Sequence, residues 1–207
     1  MSGIFRKNEP LPLHSRTSVE WAQNALNDPI ALLVDHAFLE KKAALNVMEL
    51  MTRWPGEWLP GWVETMTGIA RDEASHLAQV VRLITKRGGR MGRFHKNPYA
   101  NDLRGLIRKG DMRELLDRLL VSAIIELRSC ERFAVLSEVA AGDAELAAFY
   151  KALWSSEMGH YKVFVRLAGK MTKPAVLEQR WQELLAAEVK ILAAQEPGSR
   201  IHSGPGN

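Results

Sequence analysis

Four long stretches of helical periodicity run through this chain, and the links between them decide how they can pack. The first opens at Asp28-Pro29, an acidic N-cap followed by a proline suited to a first helical turn. It carries "IALLVDHAFLEKKAALNVMELM" to a stop near Pro55-Gly56. The second runs from Pro60 to Arg87 and stops at Gly88-Gly89. The third starts at Asp111 and ends near Gly142, and the fourth runs from Asp143 to Gly169. The outer links are short. The middle one, Gly89 to Gly110, reads as a loop, "GGRMGRFHKNPYANDL". Extended, it would span well over ~40 Å, more than a long bundle helix. Short, long, short describes two helical hairpins joined by one crossover, a link that an up-down-up-down bundle does not need.

The expected class is therefore all-α, a ferritin-like four-helix bundle with one long crossover. Extra helices flank it, a short one at "SVEWAQNAL" and a last one from Pro174 to Ala194. Residues 1–195 are expected to form a single domain and residues 196–207, "EPGSRIHSGPGN", a disordered tail. The 207 residues suffice for a sizeable core, and 46% hydrophobic content argues against global disorder. No apolar run reaches bilayer-spanning length, and "MSGIFRKNEPLPLHSR" has no signal-peptide core. A lone Cys130 excludes an intrachain disulfide. A cytoplasmic protein without a membrane partner is the expectation.

Each hairpin repeats one constellation. Glu73 and His76 are three residues apart, as are Glu157 and His160, so each pair shares a helix face. Both pairs lie in the second helix of their hairpin. The first helices supply Glu40, 33 residues before Glu73, and Glu126, 31 residues before Glu157. Four carboxylates and two imidazoles can hold two iron ions, hard oxygen ligands suiting both oxidation states. Glu131 competes with Glu126 but lies about 140° further around the helix. It is left as a group behind the ligands, or as a bridge after a local bulge. His36 shares a face with Glu40 and is a candidate pocket residue. Asp72 is a candidate for the carboxylate that orients a histidine ligand, with Ser156 at the matching place in the other half.

The crossover carries charge. Between Arg82 and Lys109 nine cations face one acid, Asp102, against a net charge of +4 for the chain. Arg87, Arg90, Arg93, Lys96, Arg104, Arg108 and Lys109 are candidates for phosphate contacts, with Phe94, His95 and Tyr99 as rings for unpaired bases.

"IIELRSCERFAVL", "DHAFLEKKAAL" and "SSEMGHY" resemble the tRNA hydroxylases that act on 2-methylthio-N6-isopentenyladenosine beside the anticodon, a likeness that extends to about residue 194. The resemblance implies a non-haem di-iron monooxygenase that hydroxylates the isopentenyl group with O2, its metals held by Glu40, Glu73, His76, Glu126, Glu157 and His160. It also implies tRNA, through the anticodon stem-loop, as partner. Electrons must come from an external reductase or electron-transfer protein, because no flavin or nicotinamide motif is visible. Two rivals share these residues: a ferritin-like protein that oxidises and stores iron, and a non-enzymatic RNA-binding bundle.

Overall fold

The computed structural model describes residues 11–54 and 59–205. Among the described residues seven α-helices run in the order α1 (Val19–Ala25), α2 (Pro29–Arg53), α3 (Trp62–Lys86), α4 (Pro98–Gly105), α5 (Asp111–Val139), α6 (Ala144–Gly169) and α7 (Pro174–Ala193). A single 3-10 turn, Ala140–Gly142, follows α5, and no strand occurs among the described residues. The expected stop at Pro55-Gly56 and the first ten residues lie outside the described residues; α2 itself ends at Arg53, capped by Trp54.

Local chemistry explains the boundaries. Asp28 caps α2 by accepting from the Ala31 amide at 2.9 Å, with Pro29 in the first turn. Asp143 caps α6 by accepting from the Leu146 amide at 3.0 Å. Its carboxylate also takes both guanidinium nitrogens of Arg87 at 2.5 and 3.0 Å, fastening the end of α3 to the start of α6. One expectation fails here. The crossover is not all loop, because Asn97 accepts from the Ala100 amide at 3.1 Å and Pro98 opens the helix α4. "NPYAND" is an N-cap and a first turn, the same signal that marked α2.

Helices α2 and α3 form one antiparallel hairpin and α5 and α6 the other. Apolar side chains divide into two cores along the bundle. One gathers Val47, Leu50, Trp62, Met66, Leu120, Leu127, Phe164 and Leu167; the other gathers Leu32, Leu33, Val80, Ile84, Phe133, Leu136, Tyr150 and Leu153. Between them each long helix contributes one polar layer, described below. Buried Arg128 ties the flanks together. It donates to Glu188 of α7 at 2.8 and 3.0 Å and to Glu131 at 2.6 Å, and Tyr99 of α4 donates to Glu188 at 3.0 Å.

The tail corrects a second expectation. Residues 196–204 fold back onto the bundle, with Ile201, His202, Ser203 and Gly204 buried. The Ile201 amide donates to Asp35 at 2.8 Å, and Arg132 donates to the carbonyls of Ile201 and Ser203. A terminal position argued for disorder, but buried Asp35 and Arg132 need partners and the tail backbone supplies them. Gly204 permits the closest approach: a Cβ there would lie 1.8 Å from the Gln195 carbonyl oxygen.

Candidate metal centre

The polar layer brings together all six expected ligands, one or two from each long helix, and all are buried. They form two overlapping groups, Glu40, Glu73, His76 and Glu157, and Glu73, Glu126, Glu157 and His160, whose ligand atoms lie within 4.8 Å of one another in each group. Both histidines turn Nδ1 inward. His76 Nδ1 lies 3.0 Å from Glu157 Oε1 and 3.4 Å from Glu40 Oε2. His160 Nδ1 lies 2.8 Å from Glu73 Oε1 and 3.2 Å from Glu157 Oε2. Glu73 and Glu157 face both histidines, so each hairpin reaches into the other's group.

Burying four carboxylates together is costly unless positive charge joins them. Burial, then the charges of Glu157 and Glu40, pushes Glu73 up to about 8. Burial and the same kind of repulsion raise Glu126 and Glu40. Against the cost of burial, the close carboxylates of Glu157, Glu40 and Glu73 push His76 up to about 12, and those of Glu157 and Glu73 push His160 up to about 10. Glu157 alone goes down, since the proximity of His160, His76 and Glu126 outweighs its burial. Protons thus supply the charge that the carboxylates require. Both oxygens of Glu73, Oε1 of Glu157 and Nδ1 of His76 are buried without a hydrogen bond among the described residues. Close oxygens and nitrogens that converge without bonding one another suit ions placed between them.

The neighbouring candidates separate. His36 Nε2 lies 2.5 Å from Glu40 Oε1 and fixes that carboxylate. Asp72 reaches across to the other hairpin, its Oδ2 3.7 Å from Nε2 of His160, rather than to His76 on its own helix. Glu131 leaves the layer: it accepts from the Thr17 amide and hydroxyl at 2.7 and 2.6 Å and pairs with Arg128. The 140° phase difference on α5 is realised without a bulge, so Glu131 is a structural group.

A cavity of about 290 Å³ runs along the groove between α2 and α5, beneath α4. Glu40, Glu73, Glu126 and Glu157 form part of its wall, with Leu39, Ala43, Val47, Val121, Ile125, Phe133 and Phe164 around them. At its mouth stand Lys42, Arg104 and Arg118. Lys42 donates to Nδ1 of His95 at 2.9 Å, and His95 Nε2 lies 2.7 Å from Asp35, a chain that holds the crossover against α2. His95 had been noted only as a ring for bases; its structural partners, Asp35 and Lys42, share no sequence signal with it.

The cationic candidates also divide. Arg87 is committed to Asp143, and Arg108 gives its amide and guanidinium to Asp117 at 2.7 to 2.9 Å, so both leave the set of free phosphate donors. Asp143 caps α6 and Asp117 lies inside α5, and the sequence paired neither acid with its arginine. Arg90, Arg93, Lys96, Arg104 and Lys109 are exposed, and Phe94 is 92% exposed among them.

Two antiparallel hairpins around a buried layer of carboxylates and histidines, with a cavity leading to it, make this chain a ferritin-like helical oxygenase. It superposes with TM-score 0.87 on a solved structure titled "Protein 43 with aldehyde deformylating oxygenase activity from Synechococcus", at 36% identity over 93% of this chain and 96% of that one. The chain belongs to the tRNA-(MS[2]IO[6]A)-hydroxylase (MiaE) family, whose model matches residues 7–203. A curated relative, the tRNA 2-(methylsulfanyl)-N(6)-isopentenyladenosine(37) hydroxylase of Pseudomonas putida, is 36% identical over 89% of this chain and 88% of its own length. The protein of the same name from Salmonella typhimurium is 28% identical over 71% of this chain and 53% of its own length. No described helix is long and apolar enough to cross a membrane.

Proposed function

We propose that this chain hydroxylates the isopentenyl group of 2-methylthio-N6-isopentenyladenosine in the anticodon loop of tRNA, in the cytoplasm. O2 is the co-substrate and a separate protein donates the electrons. The observation that carries the reading is the cavity. Leu39, Ala43, Val47, Val121, Ile125, Phe133 and Phe164 give it an apolar share of wall among polar side chains, and it reaches the carboxylate layer and is lined also by Lys42, Arg104 and Arg118. An iron-storage protein has no use for a passage of this size partly walled by Val47, Ile125, Phe133 and Phe164, and a passive RNA-binding bundle has no use for buried carboxylates. Glu40, Glu73, His76, Glu126, Glu157 and His160 would hold two irons, which supply the oxidising chemistry when reduced and exposed to O2. The chain's own part is to exclude water with the apolar side chains of the wall, to hold Glu40 through His36, and to place the Asp72 charge 3.7 Å from Nε2 of His160. Exposed Arg104 meets the phosphates that flank the flipped-in base, since Lys42 is held by His95 and Arg118 by Glu49 and Glu114.

The direct test is aerobic turnover of prenylated tRNA by reduced, iron-loaded protein, followed by mass spectrometry of the nucleosides. One oxygen atom gained on the prenylated base is the expected result. Unchanged tRNA beside consumption of an aldehyde would overturn the reading in favour of the activity titled for the Synechococcus protein.

The protons in the layer give a pH dependence. Glu73 rises from a usual 4.5 to about 8, so its proton stabilises the metal-free fold fully below about pH 4.5, a contribution lost as pH climbs through 8. His76 and His160 rise from 6.5 to about 12 and about 10, so theirs is full below about pH 6.5 and lost as pH climbs through 10 and beyond. Metal-free protein should therefore melt at lower temperature at pH 8.5 than at pH 5.5. Metal-loaded protein should show a smaller drop, because ions replace the protons. Metal affinity should rise, with proton release, between pH 6 and 8. Calorimetry with and without chelator checks both statements, and equal slopes for the two forms would contradict them.

A further inference from the structure

The two ends of the cavity differ. Leu45, Glu49, Asn101 and Arg104 at one end are exposed; His36, Ser129, Phe133 and His202 at the other are buried. His202 comes from the tail. Its ring stacks on Tyr99 at 4.4 Å between centroids, and its Nε2 lies 3.3 Å from Ser129 Oγ. Ser129 stands one turn beyond Glu126 on α5, so the imidazole closes the cavity just past the carboxylate layer. Burial, with Arg132 and Arg128 nearby, holds its pKa well below the usual imidazole range, and the ring is neutral.

The backbone that carries the ring is pinned on both sides of the groove. Asp35 of α2 accepts from the Ile201 amide at 2.8 Å, and Arg132 of α5 donates to the carbonyls of Ile201 and Ser203. The indole N–H of Trp21 donates to Ser203 Oγ at 2.9 Å. The tail is thus stitched across the end of the cavity, and the ring has stiff backing.

We propose that His202 is the stop of the substrate cavity: a specificity-determining residue that limits how far a prenyl chain runs past the carboxylates, and so which of its carbons faces them. This rests on the hydroxylase reading above and adds to it the residue that measures chain length. A chain entering from the cationic mouth passes Glu40 and Glu126 before it meets the ring. A longer chain would have to displace a side chain wedged between Tyr99 and Ser129.

The test is equilibrium binding of two nucleosides, N6-isopentenyladenosine and N6-geranyladenosine, to iron-loaded, unreduced protein. Wild type should prefer the shorter chain by about tenfold or more, the order of discrimination that extra methylenes bring in a closed pocket. His202→Ala should abolish that preference by gaining affinity for the longer chain, and its product from prenylated tRNA should carry hydroxyl at more than one carbon. His202→Phe, which keeps a ring of similar size, should keep the preference. A purely structural role would weaken both nucleosides alike and leave their ratio unchanged, which would overturn the stop. If His202→Ala does not fold, His202→Val, apolar and smaller than imidazole, carries the same comparison. Wild-type protein that hydroxylates prenylated tRNA yet binds both nucleosides equally would sink the stop alone. Wild-type protein that neither binds a prenylated nucleoside nor modifies prenylated tRNA would sink the hydroxylase reading, and the stop with it.

Discussion

Glu126→Ala should abolish hydroxylation and leave at most one iron per chain, while Glu131→Ala should keep both irons and most of the activity. The two residues are five apart on one helix and differ in everything else. Glu126 belongs to the group with Glu73, Glu157 and His160, and its removal takes a negative ligand from an ion that has few others. Glu131 faces Thr17 and Arg128. Its loss leaves the Arg128 guanidinium with Glu188 but one partner short in a buried site. The expected penalty is therefore in stability, up to about 3–5 kcal/mol for breaking a buried pair. Metal analysis after anaerobic reconstitution, set beside urea unfolding, separates the outcomes. Irons lost from Glu131→Ala and kept in Glu126→Ala would reverse the assignment of the two faces of α5.

Neutralising Arg90, Arg93 and Lys96 together should weaken tRNA binding by roughly two to three orders of magnitude at 50 mM salt and reduce the log–log salt slope by about 2. Each phosphate contact on a single strand contributes about 0.7 to that slope through counterion release, so three contacts give the stated change. These three are exposed and surround Phe94, whose ring stands free to stack on an unpaired base. Arg87 and Arg108 make the control. Both are cations of the same segment, but they spend their donors on Asp143 and Asp117, so Arg108→Gln should move stability more than the salt slope. Filter binding or fluorescence anisotropy at several salt concentrations reads the effect, and an unchanged slope in the triple variant would place the RNA on another face. Iron content should stay as in wild type.

Much of this was legible in the sequence, for a physical reason. Helix faces follow from periodicity, so Glu40, Glu73, His76, Glu126, Glu157 and His160 could be brought together from spacing; the offset of about 140° made Glu126 and Glu131 exclusive, and the 31-residue interval before Glu157 favoured Glu126. Link lengths exposed the hairpin topology. What stayed hidden are contacts between segments with no shared period. Nothing local in "RIHSG" says that Asp35 and Arg132, 166 and 71 residues away from Ile201 and Ser203, need its backbone. The Asp72 to His160 contact was hidden for the same reason. Helical phase puts Asp72 about 100° from Glu73, but which histidine it meets depends on how the hairpins dock. Charge counting also overstated the crossover, because it cannot tell Arg87 at a helix cap from Arg93 in water.

Glu73 and Glu157 each belong to both groups of ligands. The first hairpin therefore owns no complete group and neither does the second; each lends one carboxylate to its neighbour. An ion arriving at either place orients a ligand of the other and repays part of the second ion's ordering cost in advance. Were two irons to load there, loading should favour the pair and leave the half-filled protein scarce along the titration. For a reaction that needs several electrons at once, such an all-or-nothing occupancy would keep a lone iron from meeting oxygen without its partner.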